Sequence, residues 1–301
     1  MWQIHFERNC TIKPILAKFR NHLAERKKVA SMNSRRGWRV FLGPLLLLVV
    51  SYVIYFVRYP IWGWTLEPIF AVLILSYLVI LVLALVLLKK DLKKSLSTVF
   101  RFHGLQLVLI GVGLAFLFQA LWYGITIATG AKLEFSTFPM LRGYELYSYY
   151  SLPLAFVLYA VFSTFGAFAE EVAYRGYVQT RISAGYGVVA GILVSAAFFS
   201  LQHIHVFQLP WIERFFQGQF INVMLGGVVG GYFFYKTKGD IWSIFAFHAL
   251  GNLFSILLPI QITFTSPYAY WISTITSYIA IFLVLRYLPL WNKDSAFSSK
   301  E

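Results

Sequence analysis

Glu170 and Glu171 stand side by side at the end of an apolar run, Ser151 to Ala169, and Arg175 follows in the pattern Glu-Glu-x-x-x-Arg. Two later apolar runs carry further polar residues of catalytic type, Phe199-Ser-Leu-Gln-His203 and His248-Ala-Leu-Gly-Asn252. An ionised side chain at bilayer depth costs roughly 2.5 to 3.5 kcal/mol on insertion scales, so residues retained there are functional candidates. On a helix Glu171 and Arg175, at i and i+4, share a face, whereas Glu170 is turned about 100 degrees away. Glu171 is therefore expected to pair with Arg175, which leaves Glu170 for chemistry. A carboxylate in a low-dielectric cavity suits a general base acting on water. His203 is its natural partner, able to orient the same water or shuttle its proton. His248 and Asn252 are again at i and i+4 and project from one helix face as a pair of hydrogen-bond donors. Such donors stabilise the oxyanion of amide hydrolysis, one being worth typically about 3 kcal/mol.

Taken together and in this order, Glu170-Glu171-Val-Ala-Tyr-Arg175, Phe199-x-x-x-His203 and His248-x-x-x-Asn252 resemble the three motifs of the CPBP family of intramembrane proteases. That family is also called Abi and includes the type II CAAX prenyl endopeptidases. The resemblance covers about 150–260, with all three motifs complete. It implies a CAAX-protease-like glutamic endopeptidase in which Glu170 and His203 activate water and His248 and Asn252 form the oxyanion site. Glu171 and Arg175 would support the site or position the substrate, and Phe199, one helical turn before His203, would pack against it. The implied partners are membrane lipid and a peptide or membrane-associated protein substrate. No residue here encodes recognition of a prenyl group, so the substrate stays open.

Three other readings compete. Glu170, His203 and His248 are a possible two-His, one-Glu set for catalytic zinc. The sequence lacks His-Glu-x-x-His, and a glutamate and histidine acting on water need no metal, so the expectation is no cofactor. A non-catalytic membrane scaffold, or a bacteriocin self-immunity protein on the same fold, would share the sequence. A proton-coupled transporter using Glu170 as carrier would call for related halves and interrupted helices, neither of which is clear. His5, His22, His103 and His205 have no nameable carboxylate partner.

The elements that must position these groups follow from composition. The chain has 301 residues, 59% hydrophobic and 13% charged, with a mean hydropathy of +0.68. Soluble domains carry roughly 25% charged residues; this is the composition of an all-α, polytopic membrane protein. A hydropathy reading places about eight spans, near 40–58, 67–88, 105–128, 152–172, 186–205, 219–235, 241–259 and 270–289. The resulting organisation is a basic leader, 1–39, a transmembrane domain, 40–291, and a tail, 292–301.

Net charge is +14, but its distribution argues against nucleic acid as the partner. Residues 1–39 hold ten Lys and Arg against Glu7 and Glu25, and Lys89, Lys90, Lys93, Lys94 and Arg101 form a second cluster. Placing both inside puts Arg175, Arg181, Lys236, Lys238, Lys293 and Lys300 inside too. The reading is a multi-pass protein of the cell membrane with both termini cytoplasmic. In the leader, Ile12, Ile15, Leu16, Phe19 and Leu23 recur at helical spacing among cations, as in an amphipathic helix lying on anionic lipid. The leader shows no cleavable signal peptide, and the lone Cys10 forbids an internal disulfide. Trp62, Trp64, Tyr144, Tyr149, Tyr150, Trp211, Trp242, Tyr268, Tyr270, Trp271 and Trp291 flank the apolar runs as interfacial anchors. Gly226, Gly227, Gly230 and Gly231 form two interleaved Gly-x-x-x-Gly pairs suited to close helix packing. For Glu170, His203 and His248 to meet at one depth, the fourth helix must run on to about Ser183.

Overall fold

The computed structural model describes residues 37–58, 66–94, 96–135, 152–204, 219–257, 260–264 and 266–290. The chain divides into two compact units, Met1–Val40 and Phe41–Glu301. Of the first, residues 37–40 are described: a turn closed by the Val40 N–H donating to the Gly37 carbonyl at 3.3 Å. The rest of the leader, the tail, His5, His22, His205, Cys10 and the anchors Trp62, Trp64, Tyr144, Tyr149, Tyr150, Trp211 and Trp291 lie outside the described residues.

Long runs of Leu, Val, Ile and Phe without charge satisfy their backbone groups most simply as helices. The helices are α1 (Arg39–Arg58), α2 (Leu66–Leu92), the single turn α3 (Leu96–Val99), α4 (Leu105–Ala128), α5 (Leu152–Glu170), α6 (Thr180–Tyr186), α7 (Val188–Gln202), α8 (Gln219–Lys236), α9 (Ile241–Leu257) and α10 (Pro267–Tyr287). Helix covers most of each apolar run read as a span, with 152–172 crossing from α5 into the segment that follows it and 186–205 taking in the end of α6 as well as α7. Leu105–Ala128 and Tyr268–Tyr287 are each long and apolar enough to cross a membrane, and Arg39–Ile54, Val188–Gln202 and Ile241–Phe254 are shorter apolar stretches.

The outer faces are apolar. α1 exposes Leu42, Leu45, Leu46, Val49 and Val53, α2 exposes Leu75, Leu78, Val79, Val82 and Val86, and α10 exposes Ile272, Ile275, Ile279 and Leu283. A soluble helix turns such a stripe inward. Here the inward faces mix apolar residues such as Leu47, Ile80 and Ile281 with small hydroxyls: Ser51 donates to the Leu47 carbonyl at 2.9 Å and Ser273 to the Ala269 carbonyl at 2.8 Å, each one turn back along its own helix.

Two features depart from the expected plain helices. Between α5 and α6 the chain winds as a π-helix over Glu171–Gln179, so one helical path runs unbroken from Leu152 to Tyr186. The expected extension to Ser183 is present, but not as ordinary α-helix. The all-α expectation also misses an antiparallel ribbon, β1 (Lys132–Phe135) against β2 (Ile260–Thr263), in the register Lys132↔Thr263 to Phe135↔Ile260. It ties the end of α4 to the end of α9.

The glycine pairs face two ways. A Cβ on Gly227 or Gly231 would press on Ala196 or on Ile192 and Gln179, so this pair lets α7 approach α8; Gly226 and Gly230 make room for Tyr278 and Arg175. Gly187, at φ +88, supplies the left-handed turn between α6 and α7.

Candidate active site

The π segment touches α2, α7, α8 and α9, and all nine of its residues are buried. An i→i+5 winding inserts extra backbone into a helix and is frequent at functional sites. Thr180 anchors its end by donating its hydroxyl to the Arg175 carbonyl at 3.2 Å. Below it, Tyr177 donates to Asp91 Oδ2 at 2.6 Å, and Arg181 Nη1 donates to the Asp91 carbonyl at 3.2 Å. Burial, then the Asp91 hydrogen bond, pushes the Tyr177 phenol, beyond the expected span 152–172, well above its usual range. It therefore stays a donor.

The first motif splits the two glutamates as helical spacing suggests, but neither is idle. Arg175 Nη1 lies 3.1 Å from Glu171 Oε1, with both side chains buried. The same Oε1 accepts from His248 Nδ1 at 2.7 Å. Arg175 also lies over the Phe199 ring, 4.5 Å from its centroid. Glu170 Oε1 accepts from Gln202 Nε2 at 2.9 Å and from the Tyr77 hydroxyl at 3.4 Å. Its Oε2 faces His248 Nε2 at 3.8 Å, longer than a hydrogen bond and close enough for one water to touch both. His248 thus sits between the two carboxylates, held by Glu171 through one ring nitrogen and presenting the other to Glu170.

The second motif closes the site. His203 caps the end of α7, and its Nδ1 pairs with the Phe199 carbonyl at 2.8 Å. In the tautomer that donates from Nδ1, Nε2 is the acceptor nitrogen. Phe199 is the common wall: its ring centroid is 4.6 Å from that of His203, 5.8 Å from that of His248 and 5.3 Å from that of Tyr174. The depth problem posed by straight helices is met by this convergence around one aromatic ring.

A cavity of about 310 Å³ receives these groups. It is lined by Glu171, Arg175, Phe199, His203, His248 and Asn252, with Gln119 from α4, Asn222 from α8 and Tyr278 from α10. Glu170 is not itself among the lining residues; it approaches them through Oε2, 3.8 Å from His248 Nε2, and through its chain neighbour Glu171. Glu171 Oε2 is buried without a hydrogen-bond partner among the described residues. The expectation that Glu170 alone is available for chemistry is therefore incomplete: it has two donors on one oxygen, and Glu171 has an oxygen to spare.

Sequence reasoning did not single out Tyr77, Tyr174, Gln202, Gln119, Asn222 or Tyr278. Gln202 carried a signal, as a second polar residue beside His203 in an apolar run. His103, left without a carboxylate, pairs through Nδ1 with buried Asp240 at 3.1 Å. Asp240 Oδ2 also accepts from the Ser243 N–H at 2.7 Å, which caps α9. Among the described residues no group of three His, Cys, Asp or Glu is placed so that it could hold a metal ion.

Residues 152–254, which contain all three motifs, match the family model described as Rce1-like, type II CAAX prenyl endopeptidase Rce1-like. No curated protein and no solved structure matches the chain.

Proposed function

Through residues 152–254 the chain belongs to the CPBP family of intramembrane proteases, and on that premise we propose that it hydrolyses a peptide bond near the cytoplasmic leaflet with a water activated by Glu170 and His203. One observation carries the reading: side chains from three separate helical segments, Glu171, His203, His248 and Asn252, line a single cavity, with Glu170 Oε2 3.8 Å from the shared imidazole. Water held at Glu170 Oε2 gives up a proton as its oxygen attacks the scissile carbonyl carbon. The proton passes to the leaving amine, directly or through His203, as the C–N bond breaks. Asn252 faces the carbonyl oxygen as it gains negative charge, joined by His248 Nε2 when the ring carries a proton on both nitrogens and so can donate from Nε2 while Nδ1 donates to Glu171. Glu171, anchored by Arg175, fixes the His248 ring. No metal enters these steps.

Eight spans with both termini cytoplasmic complete the proposal. The structure gathers the cationic helix ends at one end of the bundle. Arg181 meets Asp91, His103 meets Asp240, Trp242 donates to the Phe100 carbonyl at 3.0 Å, and Lys236 Nζ donates to the Arg286 carbonyl at 3.5 Å. Excess Lys and Arg on one side marks it cytoplasmic.

The test compares membrane-bound and secreted peptides from cells carrying the native protein, Glu170→Ala or His203→Ala, with a parallel arm in chelator-treated membranes. A peptide cut only by the native protein, and still cut after exhaustive chelation, is the expected result. A biological role that persists in both variants at normal expression would instead make the chain a scaffold, and activity restored only by added metal would overturn the metal-free step. The unpartnered Glu171 Oε2 favours a second reading in which Glu171 is the base. That reading wins if Glu171→Gln abolishes cleavage while Glu170→Gln retains it.

A further inference from the structure

Gln202 is fully buried at the last position of α7, directly before His203. Its amide bridges two residues of the long helical path: Oε1 accepts from the Tyr174 hydroxyl, and Nε2 donates to Glu170 Oε1 at 2.9 Å. This orientation is the only one that satisfies both partners. A flipped amide would set its oxygen against a carboxylate oxygen, two acceptors facing each other. Tyr174 is itself fixed, since Ser195 donates to its carbonyl at 2.7 Å and its ring packs against Phe199.

The consequence falls on Glu170. A carboxylate has two oxygens that are equivalent until the protein distinguishes them. Here Oε1 takes the amide of Gln202 from α7 and the hydroxyl of Tyr77 from α2, while Oε2 is turned toward His248. We infer that Gln202 is the positioning residue of the site: it pins Oε1 so that Oε2 is the oxygen presented to the reacting water, and Tyr174 keeps Gln202 in the orientation that does so. The catalytic part of this inference rests on Glu170 being the base. Misplacing a reacting group by about 1 Å can cost a hundredfold in rate, so a residue with no contact to substrate can still set turnover.

The experiment uses the purified full chain with ¹³C-labelled glutamate and isotope-edited infrared spectroscopy. Carboxylate bands missing in Glu170→Ala identify Glu170. In Gln202→Leu those bands are expected to move, because one oxygen loses its amide donor; in Tyr174→Phe they move the same way by less. On the peptide found to require Glu170, Gln202→Leu should lower kcat about ten- to a hundredfold with KM within about twofold. Unmoved Glu170 bands in folded Gln202→Leu overturn the inference, as do moved bands with unchanged kcat. If Gln202→Leu does not fold, Tyr174→Phe decides by the same two readings. The infrared reading needs no substrate, so failure to find any Glu170-dependent peptide would strike the protease proposal alone and leave the Gln202 contact separately tested.

Discussion

Among the described residues Arg175 is the one Lys or Arg that lines the cavity, and its surroundings show what a buried charge requires. Its Nη1 is 3.1 Å from Glu171 Oε1 yet lacks a well-directed hydrogen bond, so the attraction between them is Coulombic more than directional. The Phe199 face supplies a cation–π contact, and Gly230 leaves the space that the guanidinium fills. Removing one member of a buried pair leaves the other uncompensated, at a typical cost of 3 to 5 kcal/mol. Arg175→Met and Glu171→Gln should each destabilise the protein by about that much. The double variant should be more stable than either single, since no bare charge remains. Thermal unfolding of the three purified variants in detergent checks this, and additive losses in the double variant would show that the pair is not energetically coupled. The pairing itself was legible, because i and i+4 spacing is a local property. The Glu171–His248 and Glu170–Gln202 bonds were not, since they join residues far apart in sequence and no period in the chain encodes them.

At the level of elements, the cavity depends on how closely helices approach. α4 and α9 form two of its walls, and they cross where Gly111 lies against the Ser243 carbonyl; a Cβ at position 111 would overlap that backbone oxygen. Backbone cannot rotate away as a side chain can. Gly111→Ala should therefore push α9 outward, with an overpacking cost of about 1 to 3 kcal/mol, and displace His248 and Asn252 together. The expected signature is a lower unfolding temperature and a loss of cleavage. Gly113→Ala serves as control, since a Cβ there has nothing within 4 Å. Equal behaviour of the two variants would remove the crossing from the account. The long apolar helices were readable from hydropathy, and close helix packing at the Gly-x-x-x-Gly pairs from spacing. The π winding was not, because an i→i+5 segment continues the flanking helices in the same path and its residue types do not distinguish it from an ordinary α-helical turn. The ribbon left a weak trace, the alternation of Lys132-Leu-Glu-Phe135 and Ile260-Gln-Ile-Thr263, but four residues are too few to outweigh the flanking apolar runs.

For the molecule as a whole, the decisive property is the sidedness of its charge. The end of the bundle formed by Asp91, His103, Arg181, Lys236, Asp240 and Arg286 gathers Lys89, Lys90, Lys93, Lys94, Arg101 and Lys238, whereas the ribbon at the opposite end has Lys132 balanced by Glu134. His248 lies about 10 Å along α9 from Ile241 at the cationic end, and His203 stands at the far end of α7 from that end, at 1.5 Å per residue. On the proposed orientation the cationic end faces the cytoplasm. In a Cys10→Ser background, Lys90→Cys and Lys132→Cys place single thiols on exposed positions at opposite ends. A membrane-impermeant maleimide should label Lys132→Cys in intact cells and Lys90→Cys only after the cells are opened. The reverse pattern would invert the protein, and labelling of both from outside would show that the apolar faces of α1, α2 and α10 meet something other than a continuous bilayer. Either result would also relocate the chemistry, because the depth of Glu170 and His248 is fixed relative to these two ends.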